Sequence, residues 1–427
     1  MDNNHAELDE AVNSIILADM AEQQLKWDKN KHKLILKERA AAKVRARNGY
    51  TIGQLVHLSR ENLHTNIAPE DITGIPFRAS NSRIDCDLSS GLPNGLRLPF
   101  PVFSSNMECV TGAKLATTIA QLGGVGVTHQ FQSADEQAAD IKAVKAKSDE
   151  RVEIDGREFE PALNKDGELI VGAATSISGC MERASALIDA GADIIVLDTA
   201  HGHSQRMADA IKKLKERFPE TVLLAGNVIT AKGAYELFEA GADGVKAGVG
   251  PGWSCSTRRV TGFGVPMISG LYSVAVVARY FRQHGREVFV IGDGGISDSG
   301  DAVKYFAAGV DGIMLGTRLA QTSDSPACEQ SFCQEKNDVL VWGSASDRAK
   351  NRQARPRWDA PEGLDRRIPY LGETSLYLAR LMTGVQSGLS YSGTNDYGVC
   401  NLARHAKHSR WALQSPFGFF EGAKTMF

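Results

Sequence analysis

From residue 100 onward the chain repeats one pattern, a short apolar run followed by a longer stretch rich in Ala, Leu and Lys. The apolar runs are Phe100–Ser105, Gly124–His129, Leu169–Ala174, Asp193–Ala200, Thr221–Val228, Gly244–Val249, Val288–Gly295 and Gly312–Leu319. Their near-continuous Val, Ile and Leu content predicts strands buried on both faces, as in a parallel sheet covered by helices. Intervening stretches such as Ser204–Arg217 and Ala231–Ala240 have the composition of helices. Eight such units in one run predict an α/β fold of the (β/α)8 TIM-barrel kind, with a doubly wound open sheet as the alternative. An internal echo supports the barrel. Ala190-Gly-Ala-Asp193, Ala240-Gly-Ala-Asp243 and Ala308-Gly-Val-Asp311 each precede an apolar run, and Gly at such a point stops a helix by taking positive φ without strain.

The two ends depart from this pattern. Between Glu22 and Arg47 there are nine Lys or Arg against three acids, with no Gly or Pro before Gly49. Residues 1–50 therefore read as a basic helical extension, solvated or packed on the domain or on a neighbouring subunit. Residues 51–427 read as the catalytic barrel, with a C-terminal flap at about residues 340–370. Within that flap Asn351–Arg367 is rich in Arg and holds two Pro, which predicts an irregular loop of the sort that covers active sites. The net charge of −3 gives no general attraction to nucleic acid or to an anionic membrane. Seven scattered Cys without a CxxC pair point to a reducing compartment and not to a disulfide framework. Without a long apolar run or a signal-peptide pattern at the N-terminus, the expected localisation is cytoplasmic.

Candidate chemistry lies at the C-terminal ends of the predicted strands, where barrels place active sites. The sixth strand runs into Gly248-Val-Gly-Pro-Gly-Trp-Ser-Cys255-Ser-Thr-Arg-Arg259. A glycine-rich loop delivers Cys255 there, beside the hydroxyls of Ser254, Ser256 and Thr257 and the cations Arg258 and Arg259, as a candidate nucleophile. The other six Cys read as buried fillers. Gly292-Asp293-Gly294-Gly295 ends the seventh strand and Gly316-Thr317-Arg318 the eighth, the two places where barrels bind phosphate through backbone N–H groups. Asp293 is placed to accept from ribose hydroxyls. Asp198 closes the fourth strand and Asn227 the fifth. His201 and His203 invite a metal reading, but no cluster with zinc spacing completes it.

These residues resemble the IMP dehydrogenase/GMP reductase family. Gly250-Pro-Gly-Trp-Ser-Cys-Ser-Thr-Arg258 is similar to its cysteine loop, usually GPGSxCTTR. Ser104–Met107, Asp198–Ser204, Gly226–Val228, Asp293–Gly295 and Met314–Gly316 match further family blocks in order, over roughly residues 85–395. The resemblance implies that Cys255 attacks C2 of a purine nucleotide. It further implies that Ser105 and Met107 contact the nucleotide, Asp293 holds the ribose, Gly295, Gly316, Thr317 and Gly343 line the phosphate side, and Glu362 reads the base edge. Asp198 and Asn227 fall on the dinucleotide side, for NAD or NADP(H). The carbonyls of Gly250, Gly252 and Cys255 match a loop that binds a monovalent cation such as K+. A homotetramer or larger homo-oligomer is implied, with neither membrane nor nucleic acid as partner.

The departures from the family pattern bear on substrate and direction. Trp253 stands where the family has a phosphate-binding Ser, and Trp342-Gly-Ser-Ala-Ser346 replaces a Tyr-containing block. Arg318 is atypical and could pair with phosphate instead. The paired regulatory CBS domains usual after Val144–Lys147 are absent. For a dehydrogenase, Arg357 and Thr257 would activate water, with Trp358 where a Tyr is usual. For a reductase, Thr257 and Asp324 would protonate departing ammonia. Residue resemblance favours the dehydrogenase, converting IMP, NAD and water to XMP and NADH. A GMP reductase, an enzyme of a modified or unphosphorylated purine, a regulatory nucleotide binder and a basic-arm RNA scaffold are the alternatives.

Overall fold

The computed structural model describes residues 14–15, 52–58, 66–76, 83, 86–352, 356, 358–393, 402 and 411–413. The expected N-terminal basic helix, apart from residues 14–15, lies outside them. Eight parallel strands alternate with eight helices. The strands are β1 (Val102–Ser104), β2 (Gly126–Thr128), β3 (Val171–Thr175), β4 (Ile194–Asp198), β5 (Val222–Val228), β6 (Gly244–Ala247), β7 (Phe289–Asp293) and β8 (Gly312–Leu315). The helices are α1 (Ala113–Gln121), α2 (Ala134–Lys145), α3 (Cys180–Asp189), α4 (Gln205–Arg217), α5 (Ala231–Glu239), α6 (Met267–Gln283), α7 (Ser299–Ala308) and α8 (Thr374–Ser392). Each strand pairs with its neighbour in order, β1 also pairs β8, and a parallel bridge between Phe103 and Val125 closes the ring between β1 and β2. The (β/α)8 barrel is the observed fold. Near-continuous apolar strands follow from it, because every strand buries one face in the barrel and the other under helices. Phe103, Val127, Val196, Leu224, Ile291 and Met314 fill the interior, while a larger cluster including Leu115, Leu187, Leu237 and Phe306 seals strands to helices.

The internal echo has a structural meaning beyond its glycines. Gly191, Gly241 and Gly309 take φ of 101°, 114° and 108°, ending their helices as expected. Two residues on, Asp193 accepts from the N–H of Val171 at 2.8 Å and pairs with Lys145 at 2.7 Å. Asp243 does the same with Leu223 and Lys215, each at 2.8 Å. Asp311 accepts from Val290 N–H at 2.9 Å and pairs with Arg282. Each Asp thus ties the first or second residue of the preceding strand to a cation in the last turn of the helix before it, on the face of the barrel opposite the strand C-termini.

Three expectations are corrected. The eighth strand stops at Leu315, since Thr317–Ala320 is a short helix. The flap is not irregular at its ends: Asp338–Trp342 pairs antiparallel with Asp365–Pro369, and Asp347–Arg352 is helical. Cys328 and Cys333 are joined as a disulfide, while Cys86, Cys109 and Cys180 are buried as expected. Burial pushes the Cys109 thiol up to about 12, so it stays protonated. Where the CBS insertion was not expected, a small hairpin of Glu153–Ile154 and Arg157–Glu158 spans the way from α2 to β3.

Candidate active site

A cavity of about 900 Å³ opens at the C-terminal ends of the strands. That is the upper range of small-molecule sites, about 300–1,000 Å³. Cys255, Thr257, Ser105, Met107, Asp198, Asn227, Gly250, Gly252, Asp293, Gly295, Gly316, Thr317, Gly343 and Glu362 all line it. Residues scattered over 257 positions of sequence, from Ser105 to Glu362, therefore share one chamber.

The cysteine loop is held by the backbone of the flap. Ser256 N–H donates to Glu362 O at 2.8 Å, Leu364 N–H to Ser254 O at 2.8 Å, and Glu362 N–H to Ala345 O at 3.0 Å. Cys255 and Gly363 form an isolated antiparallel β-bridge, which ties the loop to the flap. Cys255 is half-buried, and its Sγ donates to Thr257 Oγ1 at 3.2 Å. Arg258 is engaged elsewhere: Nε donates to Val249 O at 2.9 Å and Nη2 to Val265 O at 2.6 Å. Its guanidinium pins the loop's two ends.

The cavity floor is an ionic cluster whose centre the sequence reading missed. Lys246 Nζ lies 2.6 Å from Asp198 Oδ1 and 3.4 Å from Asp293 Oδ2, and donates to Asn106 Oδ1 at 3.1 Å. Asn106 Nδ2 donates to Asp198 Oδ2 at 2.8 Å. Asn227 Nδ2 donates to Asp293 Oδ2 at 2.7 Å and to Gly248 O at 2.8 Å. Burial pulls the Lys246 pKa down, but Asp198 and Asp293 push it up by more, so the net direction is up and the lysine is charged. The signal available in sequence was a lone Lys inside an otherwise apolar buried strand, which demands carboxylate partners.

At the other end the turn after Asp293 is tight. Gly294 and Gly295 take φ of 77° and 76°, and a Cβ on Gly295 would come within 2.8 Å of Tyr305 Oη. Two consecutive left-handed residues with no room for side chains require glycine. Arg318 also lines the cavity, with Nε donating to Ser297 O at 3.0 Å and no ion pair among the described residues. Trp253 lines the rim at 47% exposure, with the Arg366 guanidinium 4.7 Å over its ring.

Some candidates are not brought together. Asp324 does not line the cavity; its carboxylate accepts from Thr118 Oγ1 at 2.8 Å and pairs with Lys114 at 3.2 Å. Trp342 is 1% exposed, bonds Glu108 at 3.3 Å through Nε1, and is absent from the cavity wall. Arg357 lies outside the described residues. His203 pairs with Glu236 at 2.9 Å.

A family model described as IMP dehydrogenase / GMP reductase domain matches residues 68–422. The chain belongs to this family. It is an enzyme, an oxidoreductase of the IMP dehydrogenase/GMP reductase kind. A relative named inosine-5'-monophosphate dehydrogenase from Borreliella burgdorferi is 34% identical over 364 residues, covering 76% of this chain and 89% of its own. One of the same name from Staphylococcus saprophyticus is 30% identical over 468 aligned positions, covering 82% of this chain and 94% of its own. An alignment longer than this 427-residue chain means the Staphylococcus protein carries an insertion that this family member lacks. Among the described residues no helix is long and apolar enough to cross a membrane.

Proposed function

We propose that the protein oxidises IMP to XMP with NAD through a covalent bond between Cys255 and purine C2. The observation that carries this reading is the half-buried Cys255, bonded to Thr257 at 3.2 Å, opening onto one cavity that also presents Asp198 and Asp293. In the first step the Cys255 thiolate adds to C2, and the hydrogen on C2 leaves with its electron pair. The bound NAD supplies the acceptor for that pair. In the second step water attacks C2 of the thioimidate, the C–S bond breaks, and XMP departs while Cys255 regains its thiol. Splitting a hard substitution in two is the gain of covalent catalysis.

The chain's own residues supply the rest. Asp293, held by Asn227 and Lys246 through Oδ2, keeps Oδ1 for ribose hydroxyls. Ser105 and Met107 support the nucleotide, and Gly295, Gly316, Thr317 and Gly343 bring backbone to the phosphate. Arg318 supplies the phosphate with a cation where the family's Ser is replaced by Trp253. Glu362 reads the base edge, and Asp198 with Asn227 serves the dinucleotide. Gly250, Gly252 and Cys255 belong to one turn whose carbonyls would hold K+; Gly252 O already accepts from Cys255 N–H at 2.9 Å and keeps a second lone pair. Water activation falls to Thr257 and Arg357. The reductase alternative needs an acid beside Thr257, and the engagement of Asp324 with Lys114 and Thr118 favours the dehydrogenase. The working form is a homotetramer in the cytoplasm.

The test is an assay of NADH formation from IMP and NAD, beside NADPH oxidation by GMP. NADH formation from IMP is expected. Steady NADPH oxidation on GMP with no NADH from IMP would establish the reductase instead.

A further inference from the structure

The two carboxylates proposed to serve the two ligands share one buried cation. The Lys246 side chain is only 3% exposed, yet it touches Asp198 on β4 and Asp293 on β7. Asp293 stands on the adjacent strand. Asp198 is two strands away, and reaching it requires the strand between to carry no side chain. That strand is β5, where Gly226 pairs in register with both Lys246 and Asp198. A Cβ on Gly226 would come within 2.7 Å of Lys246 Cβ, so glycine clears the path of the lysine. The cluster holds one ammonium against two carboxylates, both at the cavity wall, and is left with a net negative charge. Beside it the buried Asn227 Oδ1 has no hydrogen-bond partner.

A structural ion pair would be complete with one carboxylate. Two, both at the cavity wall, make the lysine a common support. We propose that Lys246 is a positioning residue for both ligands at once, its ammonium fixing Asp293 for the purine nucleotide and Asp198 for the dinucleotide. The proposal rests on the functional reading above, in which those two carboxylates receive the two ligands. Without the ammonium, Asp198 and Asp293 repel each other and turn out of position. Only a proton taken up by one of them can restore the lost positive charge, since two close carboxylates cannot both ionise freely.

The experiment is calorimetric titration of the full chain with IMP and with NAD, separately, in the native protein and in Lys246→Met. The variant is expected to bind each ligand at least about tenfold more weakly near neutral pH. Its affinity is expected to recover as the pH is lowered, since a proton between the two carboxylates replaces part of the lost positive charge. The native affinities should not rise over the same range, since protonation of the IMP phosphate can only weaken its hold, and a purely structural role would give no such acid rescue. Unchanged affinity for either ligand in Lys246→Met, or losses without acid rescue, would overturn the proposal. If Lys246→Met does not fold, Asp198→Asn carries the test. It frees the ammonium to pull on Asp293, and IMP affinity measured without dinucleotide should weaken at least about threefold; no change there overturns the proposal equally. Native protein that binds neither IMP nor NAD would instead refute the functional reading, and the proposal with it.

Discussion

Replacing Arg318 by Gln removes one positive charge from the cavity wall while keeping a polar side chain of similar length. Two unit charges about 4 Å apart interact by ~4 kcal/mol at an effective dielectric near 20. Arg318 is only partly buried, and its Nε is already committed to Ser297 O at 3.0 Å, which leaves the two Nη groups for a phosphate. Solvent screening therefore puts the net value at the low end of a charge-assisted hydrogen bond, about 1.5 kcal/mol. That is a little over tenfold in affinity. The assay is calorimetric titration of native protein and Arg318→Gln with IMP and with inosine, which differ only in the phosphate. IMP should weaken about 10- to 30-fold in the variant, and inosine should stay within about twofold. The native advantage of IMP should also shrink as salt is raised, because exposed charge pairs are screened. Equal losses for IMP and inosine would mean that Arg318 shapes the pocket without reading the phosphate. No loss for IMP would remove Arg318 from the site.

Four further outcomes are expected. Cys255→Ala should abolish turnover while IMP affinity, measured by calorimetry, stays within about tenfold, because the phosphate and ribose contacts do not involve the thiol. Trp253→Ser should tighten IMP by up to about tenfold if the ring only displaces a hydroxyl contact; weaker binding would identify the ring, stacked under Arg366, as a contact in its own right. His129 is held neutral, its pKa lowered to about 4 by burial and by the nearby Arg183. The unfolded chain takes up a proton there below about 6.5 and the folded chain does not until about 4, so stability falls with pH through that window, by ~2 kcal/mol at about pH 5; urea unfolding of His129→Gln should lack that part of the decline. Asp243→Ala strips the carboxylate from Lys215, which keeps only the carbonyls of Pro219 and Thr221, and from the Leu223 N–H, and should lower unfolding stability by ~2–3 kcal/mol with little change in KM.

Local chemistry determined a large part of this protein. Apolar runs and the glycines at 191, 241 and 309 define strands and helix ends because each acts within a few residues of itself. The cysteine loop and the Asp293-Gly-Gly turn are equally local, since a motif read along the backbone is also a motif in space. The trace was misleading where a residue's surroundings come from afar. Trp342 adjoins Gly343 on the cavity wall, yet it is sealed in the core against Glu108, 234 residues away in sequence. Asp324 looked like a partner of Thr257, yet α1 captures it through Lys114 and Thr118. Only closure of the barrel decided the floor of the site. Lys246 meets Asp198 and Asn106 across 48 and 140 residues of sequence. Nothing local to Gly244–Ala247 says which carboxylates will face that lysine. A buried charge must find its counter-charge, and which one it finds is set by strand register around the ring, a property of the whole sheet and of no single segment.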